Sequence, residues 1–423
     1  MERSRLAGAI RIPASKSHTI RGVILGLMAE GPSILFDPLD AADTESVVSC
    51  SVTLGAKIER SLRSWRVEGI GGRLPDVPVS LDVGNSGTTL GNLIGLAATG
   101  TAPITFDGDA SIRTRPFGPL LRSLEQLGAV VESEGEHGTA PITLCGPIRG
   151  GEALVNGTTS IYLTPLLVAC PLSAGPTILR VEGEMHEQGY VRMTLDWLAK
   201  AGVEVNANET LTHFEIPGGQ KVRPLHRAIA ADFSSAAFPA CAAVLAATSD
   251  VVLEGLDFED TQGDKVVFDI LRDLGATIDI GSEVTIHPTE ALQGRRIDLS
   301  GAPDALPILS VVACAAEGET VLENVAMARI KETDRITVMR EELSKMGATI
   351  EELEDGLVIR SSALHGADVD GRDDHRVVMA LAVAGMIAEG TTRIRGAESV
   401  RITYPTFVES MRGLGARLEA REG

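Results

Sequence analysis

Residues 13–21, PASKSHTIR, set Lys16 between Ser15 and Ser17 and place Arg21 five positions on, with no acid between Glu2 and Glu30 to pair either cation. An exposed helix face pairs such charges with acids three or four residues away. Unpaired cations beside hydroxyls read instead as donors to an anion. Residues 82–91, DVGNSGTTLG, offer a second donor set: Gly84 and Gly87 let backbone N–H groups turn to one point, and Ser86, Thr88 and Thr89 add hydroxyls. At a helix start that is anion-binding geometry, although such a loop alone is more often a turn. In DASIRTRPFG, residues 109–118, Arg113 and Arg115 precede Pro116, which suits the first turn of a helix and puts Arg115 at its mouth.

Acids and bases concentrate in the second half. ARIKETDRI, residues 328–336, packs Lys331, Glu332, Asp334 and Arg335 into five positions. An N-cap on Thr333 or Asp334 accounts for the acid but leaves Lys331 and Arg335 unexplained. GRDDHRVVMALAVAGM, residues 371–386, puts Asp373, Asp374, His375 and Arg376 ahead of an apolar helix, and GAPDALPIL puts Asp304 at the head of another. NGTTSIYLTPLL presents Thr158, Thr159 and Ser160 in the same way. A lone His beside acids, with no second His at ligand spacing, argues against a metal centre. Proton donors and acceptors set among fixed cations suit acid–base chemistry on a doubly or triply anionic small molecule.

The elements that must carry these groups repeat. A residue such as Leu, then Gly, then an alternating strand, recurs as LGAKIER, LGAVVES, AGVEVNA, LGATIDI, MGATIEE and LGARLEA. Its glycines are Gly55, Gly128, Gly202, Gly275, Gly347 and Gly415, with gaps of 73, 74, 73, 72 and 68. Each unit reads as an amphipathic helix stopped at a left-handed glycine and followed by a strand. Nearly uncharged stretches, YLTPLLVACPL and AAFPACAAVLAA, read as helices buried on most sides. One unit cannot close a core. Three packed around buried helices can, so six predict two α/β domains facing a cleft.

Composition bounds the partners. The 423 residues carry a net charge of −20, which disfavours nucleic acid but leaves room for a local cationic pocket. The five cysteines are scattered, without a C-x-x-C pair, as in a reduced cytoplasmic protein. No secretory leader and no membrane span are expected.

Taken together, P-x-S-K-S-x-x-x-R, G-N-S-G-T, R-P-F-G, D-x-S-S-A, P-D-A, K-E-T-D-R and D-H-R resemble, in order and over nearly the whole chain, the 5-enolpyruvylshikimate-3-phosphate synthase family. The resemblance implies two inside-out α/β domains of three repeats each, residues 15–228 and residues 1–14 with 229–423. It implies transfer of the enolpyruvyl group of phosphoenolpyruvate to a hydroxyl of 3-phosphoshikimate or a shikimate-like acid, by a monomer with no cofactor. It places Lys16, Asn85, Gly87, Arg115, Arg335 and Arg376 on phosphoenolpyruvate. Ser17, Arg21, Thr159, Ser160, Glu187, Tyr190, Asp304 and Lys331 fall on the acceptor, and Lys16, Asp304, Lys331 and Glu332 in catalysis. No cysteine lies between Cys50 and Cys145, where the sister enzyme acting on UDP-N-acetylglucosamine carries a cysteine acid.

Five positions depart from the family pattern: Gly91 for arginine, Ile161 for glutamine, Glu187 for serine, Met327 for Asn or His, and Ile402 for lysine. A carboxylate at 187 repels a phosphate by roughly 4 kcal/mol at about 4 Å and an effective dielectric of about 20. The expectation is therefore tighter binding of the unphosphorylated acid. Two other readings stay open here: elimination of water from an unphosphorylated cyclohexene acid, and binding without turnover.

Overall fold

The structure, a computed structural model, describes residues 1–421. All six signature glycines are left-handed, with φ of 109°, 102°, 75°, 113°, 93° and 99° along the chain. Each stands two residues beyond a helix end, where a side chain would be strained. By contact the chain divides into two compact units, Ala14–Ile229, and Met1–Pro13 with Ala230–Gly423.

The Ala14–Ile229 unit contains α1 (Lys16–Met28), α2 (Ala42–Thr53), α3 (Gly87–Ala97), α4 (Gly118–Gln126), α5 (Thr164–Ala169) and α6 (Gln188–Lys200). The other unit contains α7 (Phe233–Ala246), α8 (Val266–Asp273), α9 (Leu306–Ala315), α10 (Arg335–Lys345), α11 (His375–Ile387) and α12 (Phe407–Gly413). The even-numbered helices end at the signature glycines. The odd-numbered ones bury nearly every residue and pack on one another within their own unit.

One repeat shows the logic. Strand Val79–Asp82 leads through α3 to strand Ile104–Asp107, its parallel neighbour. After α4, an antiparallel hairpin of Val130–Ser133 and Ile142–Cys145 completes the sheet. One parallel pair extended by a hairpin recurs in five four-stranded sheets. The sixth set differs. It is the parallel pair Asp368–Asp370 and Arg393–Arg395, and the strand predicted after Gly415 makes only an isolated bridge, Glu2 to Arg417. Ala416 and Leu418 still alternate into the core, but among the described residues no hairpin partner stands beside them.

Each unit has one aliphatic core. The buried helices begin at polar residues. Ser15, Ser86, Asp232 and Asp374 accept capping hydrogen bonds at α1, α3, α7 and α11. Short 3-10 turns, Ser160–Tyr162 and Pro303–Ala305, lead into α5 and α9. A cap needs a side-chain oxygen in the β-region backbone just before the first turn. The candidate chemistry therefore gathers at the starts of the buried helices.

Candidate active site

In the unit holding α7 to α12, Asp304 is the meeting point of three cations. Its Oδ1 lies 2.7 Å from Arg335 Nη1 and 3.9 Å from Lys331 Nζ, and its Oδ2 lies 3.0 Å from Arg376 Nη2. Arg335, only 1% exposed, also donates to Glu332 Oε2 at 2.6 Å and to both oxygens of Asp374 at 2.7 and 3.2 Å. Asp374 in turn accepts the Arg376 backbone N–H at 2.8 Å, and Arg376 Nη1 donates to Ser234 Oγ at 2.6 Å. Burial alone raises the carboxyl pKa of Asp304. Arg376, then Lys331 and Arg335, more than offset it, and the group is held well below the usual carboxylate range. Burial likewise disfavours the Arg335 charge, and Asp374, Glu332 and Asp304 outweigh it. Three cations thus face three carboxylates. The cluster is charge-balanced rather than strongly cationic, because Asp374 serves as a helix cap and an arginine partner at once.

In the Ala14–Ile229 unit, Lys16 is paired after all: its Nζ lies 3.0 Å from Asp43 Oδ2, and both side chains are largely buried. Asp43 sits in the first turn of α2, and no local spacing in the sequence marks it. Arg21 is 4% exposed and donates to neutral oxygens, Thr194 Oγ1 at 2.9 Å and the carbonyls of Ser17 and Tyr190 at 3.1 and 3.3 Å. Burial, slightly opposed by Tyr190, brings its pKa down to about 10. Ser17 is buried and Tyr190 half-buried beside it.

Asn85, Gly87 and Arg115 also converge. Asn85 Nδ2 donates to Asp109 Oδ2 at 2.6 Å, and Arg115 Nη2 to Ser111 Oγ at 3.0 Å. A Cβ on Gly87 would lie 2.5 Å from Arg115 Nη1, so a larger residue there would push the guanidinium aside. Arg113 stands apart, in a surface ion pair with Asp107. Pro116 precedes α4 rather than joining its first turn, and Arg115 closes the 3-10 turn Ile112–Thr114.

Thr159 and Ser160 both donate to Glu187, through contacts taken up below. Two departures from the family pattern touch one another: a Cβ on Gly91 would stand 3.0 Å from Ile161 Cγ1. Ile161 covers the face of α3 from which an arginine would project. Met327 lies half-buried in the 3-10 turn Ala326–Ile330, and Ile402 half-buried at the end of another, Ala397–Ile402. Sequence reasoning missed Asp43, Asp109, Asp374 and Ser234 as partners. The motifs D-x-S-S-A and D-H-R contained two of them.

Among the described residues no helix is long and apolar enough to cross a membrane, and no group of three His, Cys, Asp or Glu is placed to hold a metal. The buried helices and repeated four-stranded sheets form the two-domain fold of the enolpyruvyl transferases. A solved EPSP synthase from Acinetobacter baumannii superposes with a TM-score of 0.81 at 27% identity, covering 99% of this chain and 98% of that one. The chain belongs to the EPSP synthase (3-phosphoshikimate 1-carboxyvinyltransferase) family, whose pattern it matches over residues 1–411. Among relatives named 3-phosphoshikimate 1-carboxyvinyltransferase, that of Acetivibrio thermocellus is 47% identical over 100% of this chain and 99% of its own. That of Methanothrix thermoacetophila is 44% identical over 99% of each.

Proposed function

We propose that the chain transfers the enolpyruvyl group of phosphoenolpyruvate to a hydroxyl of 3-phosphoshikimate or a shikimate-like acid, releasing inorganic phosphate. The observation that carries this reading is Asp304, a carboxylate fixed by Arg335, Arg376 and Lys331 with Glu332 on the same guanidinium. The reaction needs a proton taken from the attacking oxygen, a proton given to the methylene carbon, and cations for the carboxylate and phosphate.

In this reading Arg335 and Arg376 take the carboxylate of phosphoenolpyruvate. Lys16, Asn85, Gly87 and Arg115 take its phosphate side. Glu332 protonates the methylene carbon as the acceptor oxygen adds to the adjacent carbon, and Asp304 receives the hydroxyl proton. Loss of phosphate from the tetrahedral adduct, with the proton held by Asp304 passing to the departing phosphate and a methyl proton returning to Glu332, restores the enol ether and both side chains. A carboxylate held by three cations is a weak base. The substrate's own anions offset those cations on binding and bring Asp304 back towards ordinary basicity. Lys331 stays beside it to balance charge.

Ser17, Arg21, Thr159, Ser160, Glu187 and Tyr190 face the acceptor. Arg21 supports this directly, because a buried guanidinium donating to neutral oxygens suits a ligand carboxylate. The enzyme acts, in this reading, as a cytoplasmic monomer without metal or nucleic acid. Calorimetric titration of phosphoenolpyruvate, with 3-phosphoshikimate or shikimate present, tests it. Saturable binding that Arg376→Ala weakens is expected. No binding with either acid overturns the reading.

A further inference from the structure

Glu187 is held in a way that bears on which acceptor the site takes. It precedes α6, where a capping residue would ordinarily accept a hydrogen bond from the helix. Its carboxylate makes no capping hydrogen bond. Its backbone is left-handed, with φ 53° and ψ 37°, a conformation a non-glycine residue rarely adopts. That turn sends the side chain inward, where the residue is 3% exposed. One oxygen, Oε2, accepts from Thr159 Oγ1 at 2.7 Å, Ser160 Oγ at 2.8 Å and the Ser160 backbone N–H at 2.9 Å.

Proton counting makes this arrangement selective. A serine or threonine hydroxyl has one proton to donate. Thr159 and Ser160 both direct theirs at Glu187, and the Ser160 amide does the same. A phosphate dianion offers only acceptors. At this cradle it meets hydroxyl lone pairs and a buried carboxylate, and it can bond only after the carboxylate leaves. A ring hydroxyl has a proton of its own, which it can give to the carboxylate or to either hydroxyl oxygen.

We infer that Glu187 occupies, as a built-in anion, the donor cradle of Thr159 and Ser160, and so makes this chain select an acceptor bearing a free hydroxyl rather than a phosphate there. The inference rests on the acceptor reading of Thr159 and Ser160 above.

The test compares dissociation constants for shikimate and 3-phosphoshikimate, with phosphoenolpyruvate present, across four proteins: native, Glu187→Ser, Glu187→Gln, and Glu187→Ser carrying Thr159→Val with Ser160→Ala. Native protein is expected to bind shikimate more tightly. Glu187→Ser releases the three donors and should tighten 3-phosphoshikimate by roughly 10- to 100-fold, the worth of one hydrogen bond to a charged group. Glu187→Gln, nearly the same shape, removes the charge and should give a smaller shift in the same direction, which guards against a serine variant that folds poorly. The triple variant should lose the gain. Native protein that prefers 3-phosphoshikimate and is unmoved by either substitution overturns the inference. If the triple variant still binds 3-phosphoshikimate more weakly than Glu187→Ser in that case, the acceptor reading survives it. Failure of every variant to bind either acid overturns both.

Discussion

Asp304 shows how much one side chain's role depends on partners far away in sequence. Its three cations come from positions 331, 335 and 376, and together they hold it ionised. Asp304→Ala should lower turnover by about 10²–10⁴-fold while the protein stays folded, and steady-state kinetics on the purified variant checks this. Because the folded pKa is depressed, the carboxylate contributes stability above its unfolded value of about 4 and loses it as pH falls through the folded pKa. The stability gap between native protein and Asp304→Asn, read from urea melts, should therefore be constant near neutrality and close steadily below about pH 4. A gap that widens in acid contradicts the assignment. Asp43 fixes Lys16, the cation that the proposed function sets against phosphoenolpyruvate. Asp43→Asn should raise the KM for phosphoenolpyruvate more than it lowers kcat, because a binding cation loses its anchor.

Helix starts are the elements that do the positioning, and α11 is the clearest case. Asp374 caps α11 and binds Arg335 through both oxygens. Asp374→Ala removes the cap, worth about 1 kcal/mol, and leaves a buried guanidinium short of a partner, a loss of about 3–5 kcal/mol where such pairs are broken. A clear fall in Tm is expected in calorimetry, and an unchanged Tm would refute the dual role. α3 carries a different dependence, since Gly91 packs under Ile161. Gly91→Arg alone should destabilise, and Ile161→Gln should recover part of that loss, giving a coupling of about 0.5–3 kcal/mol in a double-mutant cycle. The helix pattern itself is legible in sequence, because each repeat ends on a glycine that only a left-handed stop explains. The motifs at the buried helix starts are legible too, since several charges ahead of an uncharged helix exceed what one cap requires. The pairings Lys16–Asp43, Asn85–Asp109 and Arg335–Asp374 are not. They join different elements at separations that follow no period. Glu187 reads in sequence as a repulsive charge, whereas the fold supplies it with three donors.

At the scale of the whole chain, the six repeats sort into two units with separate cores, and one of them, Ala14–Ile229, is continuous in sequence. A fragment spanning residues 14–229 closes its own three sheets and should fold alone. A cooperative thermal transition with dispersed amide resonances is expected, and a non-cooperative melt would show that its core is incomplete. Asp304, Glu332, Arg335 and Arg376 lie outside this fragment, so it should not turn over. That the intact chain is a transferase follows from its family. Its chemistry moves an enolpyruvyl group rather than water, and everything proposed for the site depends on that. The most direct measurement incubates the native enzyme with phosphoenolpyruvate and either acid, and follows inorganic phosphate alongside the mass of the organic product. Phosphate should appear one for one with an enolpyruvyl ether of the acid, and neither should form when phosphoenolpyruvate is left out. A dehydrated acid formed with phosphoenolpyruvate untouched would contradict enolpyruvyl transfer.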